Sequence, residues 1–341
     1  MHMDLILPPH AADPRTAAES AERAGFDGLW TSEVSHDPFL PLALAAGATR
    51  RLTLGTSIAV AFARNPMTTA VVADDLQGLS GGRFSLGLGS QVRAHITRRF
   101  SMPWSRPAAR MREYILALRA IWAARQQGEP LDFRGEFYEH TLLTPMFVPA
   151  AHGHPPPPVL LAAVGEEMTR VAGEVADGLL VHSFTTERYL REVTLPALAR
   201  ARGTLGGFER VGCPFLVTGR TAAERAAAAK AVRQRIAFYG STPAYRPVLA
   251  LHGWEDLATE LHALSRAGHW QRMGEAISDE VLDAFAVAGE PARVASELVS
   301  RYGDVLTRVP LHTLNPVPAD VFTEIAEVVR AQRGRDPKET K

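Results

Sequence analysis

The sequence predicts a (β/α)8 barrel, and three observations lead there. Short apolar runs rich in Val, Ile and Leu alternate with longer helical patterns from one end of the chain to the other. The runs are apolar on both faces, as parallel strands covered by helices must be. The 341 residues would make about two ordinary domains of roughly 150 each, but they also fit one α/β barrel with insertions. An open doubly wound sheet is the alternative arrangement of the same alternation.

The strand candidates, in order, are residues 3–8 (MDLILP), 28–33 (GLWTSE), 52–60 (LTLGTSIAV), 84–90 (FSLGLGS), 158–165 (PVLLAAVG), 178–184 (GLLVHSF), 211–219 (VGCPFLVTG) and 307–314 (TRVPLHTL). Helical patterns between them include PRTAAESAERAG, PLALAAGATR, MTTAVVADDLQGLS, AARMREYILALRAIWAARQQ and EEMTRVAGEVA. Asp13 followed by Pro14 reads as a cap and a first-turn proline, and Gly25 after Ala24 as the matching stop. Two stretches interrupt the repeat. Residues 126–157, ending in four consecutive prolines, read as an extended hairpin insertion before the fifth strand. Residues 240–290 read as a mostly helical insertion before the eighth. We therefore expect a single domain over 1–341 with a flexible tail at 333–341.

Composition excludes several functions. The 37 basic and 37 acidic side chains balance, which argues against a general nucleic-acid binder or a polybasic membrane protein. No apolar run approaches the roughly 20 residues of a membrane span, and the N-terminus lacks an export pattern, so a cytoplasmic protein is expected. Cys213 is the only cysteine, which leaves no internal disulfide and no cysteine-rich metal site; in its apolar run it reads as a small buried hydrophobe. The lysines are Lys230, Lys338 and Lys341, so Schiff-base chemistry has almost no candidate, and no Gly-Lys pair offers a phosphate loop. His152 and His154 (HGH) lie in a Pro-rich loop without carboxylate neighbours in sequence and are expected to be solvent-exposed, with no metal.

In a barrel of this kind chemistry sits at the C-terminal ends of the strands. The second strand ends in TSEVSHDPF, which brings Glu33, Ser35, His36 and Asp37 to the mouth. A histidine there can give or take a proton near neutral pH, whereas Asp37 suits the cap of the following helix. Trp30 on that strand reads as core. The fourth strand ends in GLGSQ, whose glycines only partly match a phosphate loop but let a flat ring approach the backbone. The fifth ends in AAVGEEMTR with a helix starting at once, so free N–H groups at residues 163–166 offer an anion site. Glu166 and Glu167 are equally readable as ordinary first-turn acids.

The order LTLGTSIAVAFARNP, then DDLQGLSGGRF with LGLGS, then AAVGEEMTRVAGEVADGLLVH resembles the bacterial luciferase-like superfamily, closest to its actinobacterial coenzyme F420-dependent oxidoreductase branch. The resemblance covers essentially the whole chain. It implies a non-proline cis peptide in a bulge of the third strand, matching Ser57-Ile58 with Ala59 next to it, against the central cofactor ring. It further implies a phosphate site at Ala163, Val164, Gly165 and Glu166, and a proton-transferring histidine at His36 with Ser35 beside it. Two departures matter. Luciferase places an arginine on the FMN phosphate where this chain has Ser90, and loss of that two-pronged clamp counts against FMN. The family's sugar-phosphate dehydrogenase has a catalytic glutamate near the position of Ser90-Gln91, and aspartate where this chain has Ser35, which counts against sugar phosphates.

The resemblance thus implies hydride transfer between C5 of the deazaflavin and a small organic substrate. That means reduction of C=C, C=N or C=O, or alcohol oxidation, with His36 moving the proton. Ser90, Gln91 and His182 would line the site, and Phe39 and Phe184 would shape its substrate side. An FMN-dependent monooxygenase and a non-catalytic cofactor-binding relative are the alternatives. The Ala- and Leu-rich helices after the second and third strands match the surface through which resembling proteins dimerise.

Overall fold

The computed structural model describes residues 1–8, 11 and 13–333; positions 334–341 of the expected tail lie outside the described residues. The strands are β1 (His2–Ile6), β2 (Gly28–Thr31), β3 (Thr53–Thr56), β4 (Ala59–Val60), β5 (Phe84–Gly89), β6 (Phe133–Arg134), β7 (Glu139–His140), β8 (Val159–Ala163), β9 (Gly178–Val181), β10 (Glu209–Gly212), β11 (Phe215–Thr218), β12 (Ala286–Gly289) and β13 (Arg308–Leu311). Eight of them close a parallel ring in the order β1-β2-β3-β5-β8-β9-β10-β13, with β13 returning to β1. β4 continues β3 beyond an interruption and pairs with the upper part of β5. The (β/α)8 barrel expected from the alternation is the architecture observed.

The helices are α1 (Pro14–Arg23), α2 (Phe39–Ala48), α3 (Pro66–Leu79), α4 (Pro107–Gln127), α5 (Glu166–Val175), α6 (Glu187–Tyr189), α7 (Leu195–Arg202), α8 (Ala222–Gly240), α9 (Arg246–Ala250), α10 (Glu255–Arg266), α11 (Trp270–Glu275), α12 (Asp279–Phe285), α13 (Pro291–Tyr302) and α14 (Ala319–Arg333). The junctions follow local chemistry. Asp13 accepts the Arg15 N–H at 3.0 Å, Pro14 fills the first turn, and Gly25 closes α1 at φ +82°. Outward residues of the strands, such as Leu29, Leu54, Phe84 and Val309, join the helices in the main core.

Inside the ring, Trp30, Leu160, Leu180 and Val211 pack together, fully or almost fully buried. Gly55 makes room for Trp30: an added Cβ would lie 2.3 Å from its ring. Below this plug, at the N-terminal end of the barrel, buried Asp4 takes both prongs of Arg308 at 2.8 Å and the Trp30 indole N–H at 2.8 Å. Every partner is satisfied, which is what makes a buried ion pair tolerable.

The run at 211–219 is not one strand. It breaks at Cys213-Pro214, where the chain leaves the ring, and its second half, β11, pairs in parallel with β12 in a separate two-stranded sheet. Proline has no N–H for a ladder, so the break falls where the sequence permits it. The expected helical insertion is therefore larger than 240–290. It starts at β11, runs through α8–α12 and ends in a strand. It carries its own apolar cluster, including Phe215, Ile236, Leu261, Met273 and Phe285. The other insertion holds the expected hairpin, β6 against β7. His152 is a correction: a carboxylate does reach it, from another part of the chain. Its Nε2 lies 3.1 Å from buried Asp74, which also takes Arg125 and Gln126, so the ring is largely covered.

Candidate active site

The β2–β3 side of the mouth is tightly hydrogen-bonded. Glu33 accepts the Val60 N–H at 2.7 Å and an Arg64 N–H at 2.6 Å, and Arg64 also reaches Asp37 at 3.2 Å. These two carboxylates hold the Arg64 guanidinium in its charged form despite the opposing pull of its burial. Asp37 accepts the Phe39 and Leu40 N–H groups and caps α2. Glu33 and Asp37 are thus occupied in holding the loop. Ser35 and His36 are exposed between them, and His36 has no hydrogen bond or ion pair among the described residues. Phe39 departs from the substrate-shaping role expected of it: it is 5% exposed, a member of the main core beneath Arg64.

Between β3 and β4 the Ser57-Ile58 peptide is cis. Ser57 donates its N–H to the Thr31 carbonyl at 2.6 Å and accepts the Ser32 hydroxyl at 2.9 Å. Ala59 is buried at the start of β4. The glycines of β5 find their reason here. An added Cβ at Gly87 would lie 1.8 Å from the Thr56 carbonyl oxygen, and one at Gly89 would lie 2.9 Å from Ile58. They make room for the Thr56 carbonyl and for the Ile58 side chain that follows the cis peptide. At the end of β5, Ser90 is half-buried with its hydroxyl on the Gln91 carbonyl, and Gln91 adopts φ +59° with its side chain bonded to the Val92 N–H.

Across the mouth, β8 ends at Ala163 and α5 begins at Glu166 after Gly165 at φ +80°. No side chain caps this helix, and nothing stands within 4 Å of where a Gly165 Cβ would be. The first-turn N–H groups of any helix lack internal partners. They open here on a cleft lined by Ala163, Val164, Gly165, Glu166, His182 and Tyr189 among others. Glu166 is exposed and leans toward Arg200, 4.0 Å away. His182 accepts the Phe184 N–H on Nδ1 at 3.0 Å, so its proton sits on Nε2, 3.2 Å from the Tyr245 hydroxyl. Burial pushes its pKa down to about 4, so the ring is neutral at ordinary pH. Phe184 is 2% exposed and stacks on Phe285 and Tyr245, anchoring the insertion's core while one edge borders the cleft.

A second cleft lies beside it, lined by Ser183, Cys213, Arg235, Tyr239 and His312 among others. Sequence reading missed Arg235 and His312. The signal for His312 was its place at the end of the last strand run; Arg235 sits on a helix of the insertion, where nothing in the sequence distinguishes it. Cys213 is half-buried at this cleft and not enclosed in the core as its apolar run suggests, but desolvation still pushes its thiol up to about 12, so it stays protonated. No group of three His, Cys, Asp or Glu suited to a metal occurs among the described residues.

Residues 4–308 match the profile of the luciferase-like monooxygenases. The chain belongs to the luciferase-like family. Luciferase-like relatives include an uncharacterized protein of Mycobacterium tuberculosis, 55% identical over 314 residues and covering 91% of this chain and 92% of that one. A 5,10-methylenetetrahydromethanopterin reductase of Archaeoglobus fulgidus is 26% identical, over 82% of each chain. Among solved structures, the coenzyme F420-dependent tetrahydromethanopterin reductase of Methanopyrus kandleri superposes with a TM-score of 0.77 at 20% identity, covering 97% of this chain and 99% of that one. The luciferase-like chain is thus an enzyme of the oxidoreductase kind by family. No helix among its described residues is long and apolar enough to cross a membrane.

Proposed function

We propose that this luciferase-like enzyme uses coenzyme F420 to move a hydride to or from a small organic substrate. The observation that carries the reading is the uncapped N-terminus of α5 opening on the cleft beside His182. An anion seated there meets backbone donors and the positive end of a helix, as a cofactor phosphate requires. Ala163, Val164, Gly165 and Glu166 would hold the phosphate, Ser57, Ile58 and Ala59 would back the ring, and Ser90 and Gln91 would border it. When bound, the deazaflavin supplies a ring carbon that accepts or gives a hydride and forms no oxygen adduct.

The chain's own residues divide the remaining work. His36, exposed and unpaired, is free to deliver a proton to a substrate being reduced or to take one from an alcohol being oxidised. His182 is not the proton carrier: its two nitrogens are engaged and burial keeps it neutral, so it is a fixed wall of the cleft. An FMN monooxygenase is the second reading, favoured by the family's own description, and Ser90 in place of an arginine clamp counts against it.

The exposed Leu40 and Leu44 of α2, 69% and 39% accessible, with Leu79 of α3 at 64%, support a homodimer through these helices. Titration with oxidised F420 and separately with FMN, followed by cofactor fluorescence, tests the cofactor. Tight F420 and weak FMN binding is expected; the reverse preference would move the monooxygenase to first place.

A further inference from the structure

We propose that the cleft between the ends of β10 and β13 is a carboxylate-recognising subsite, in which Arg235 holds an anionic group of the substrate. This assigns a substrate class to the mouth and rests on the mouth being the active site as read above.

Strand alternation puts Val211 inside the ring and Val309 and Leu311 outside it, so Cys213 and His312 each continue an inward row. They reach this second cleft together with Ser183, Arg235 and Tyr239, and no Asp or Glu lines it. The arginines of α8 make the contrast. Arg225 lies 3.6 Å from Glu290, and Arg233 is paired with Asp279 and the Ile277 carbonyl. Arg235, on the same helix and exposed to solvent at the edge of the cleft, has no hydrogen bond or ion pair among the described residues; its contact is the Tyr239 ring, 5.9 Å from the guanidinium carbon. Its charge also bears on His312, whose protonated form it and burial disfavour.

A guanidinium offers two parallel N–H donors that match the two oxygens of a carboxylate. Bound next to His312, that carboxylate would also favour the imidazolium and gain a second donor. The cleft borders the same segment, residues 182–184, that walls the cofactor cleft, so a substrate anchored by its carboxylate at Arg235 extends toward the mouth. The subsite therefore selects acids over their neutral amides or esters.

The test uses the full chain with benzoate, benzamide and phenyl phosphate as probes. Binding is followed by NMR of the His312 ring in the wild type, Arg235→Gln and Arg235→Lys, and each protein is also titrated with F420. Benzoate should bind about tenfold or more tighter than benzamide. That preference should vanish in Arg235→Gln and return in part in Arg235→Lys, while F420 affinity is unchanged in both. Equal binding of benzoate and benzamide, or a preference that survives Arg235→Gln, overturns the proposal. A clear preference for phenyl phosphate overturns the carboxylate class. Loss of all F420 binding with the benzoate preference intact sinks the cofactor reading and leaves the subsite standing; F420 binding without that preference does the opposite.

Discussion

The two ends of the barrel treat charge in opposite ways. At the N-terminal end Asp4 is completely buried, and its oxygens are taken by Arg308 and the Trp30 indole. At the C-terminal end His36 and Arg235 have no polar partner among the described residues, and α5 begins without a cap. A paired buried charge fixes a register; an unpaired group at a cleft is available to something that arrives later. The same ring of strands thus holds a fully buried, paired charge at one end and, beside the Glu33–Arg64–Asp37 network, leaves groups without polar partners at the other.

The largest effect separating the ends should come from His36→Ala. Turnover is expected to fall about 10²–10⁴-fold, with F420 affinity and melting temperature nearly unchanged, in steady-state kinetics on the loaded enzyme. Unchanged turnover would remove His36 from the reaction. Arg308→Met should do the converse. It strands Asp4 without its counter-charge and should cost about 3–5 kcal/mol of stability by urea unfolding. If stability held and turnover fell instead, the contrast between the ends would be wrong.

A smaller effect concerns pH. His182 is held near a pKa of about 4, against 6.5 in the unfolded chain. As pH falls below 6.5 the unfolded chain takes up this proton first, so stability is lost between pH 6.5 and 4, and this histidine adds no further loss below that. His182→Gln should flatten the dependence over that window by up to about 1.4 kcal/mol per pH unit. An identical slope in the variant would mean that the ring is not buried as described. The smallest effect is at α5. Removing the negative charge in Glu166→Gln should tighten F420 binding about two- to fivefold, read by fluorescence titration. Weaker binding would show that the carboxylate itself contacts the cofactor.

How far the sequence carried the fold depends on which residues spoke. Alternating apolar runs predict the ring correctly because each barrel strand is bounded by glycine, proline or a polar turn. β12 was invisible because the apolar end of α12, Phe285, passes directly into Ala286 with no turn residue between them. A short apolar run of that kind reads equally well as more helix. Asp37 was legible as the cap of α2, but Glu33 and Phe39 looked like mouth residues by position, and only the fold reveals that Arg64 and the core already claim them. Arg235 carried no pattern at all, since its distinction is the absence of a partner, and pairing across an insertion is a tertiary fact.

After β10 the chain leaves the ring and returns to it only at α13 and β13. β11 and β12 hydrogen-bond to each other and to no barrel strand, and the helices between them enclose a separate apolar cluster. If residues 213–290 were removed, β10, α13 and β13 would still form an ordinary strand–helix–strand unit of the barrel. The lobe is therefore a cassette. Its strands and its apolar cluster are its own, so its length and sequence can be rebuilt by design while the hydrogen-bonded ring of strands is left as it is.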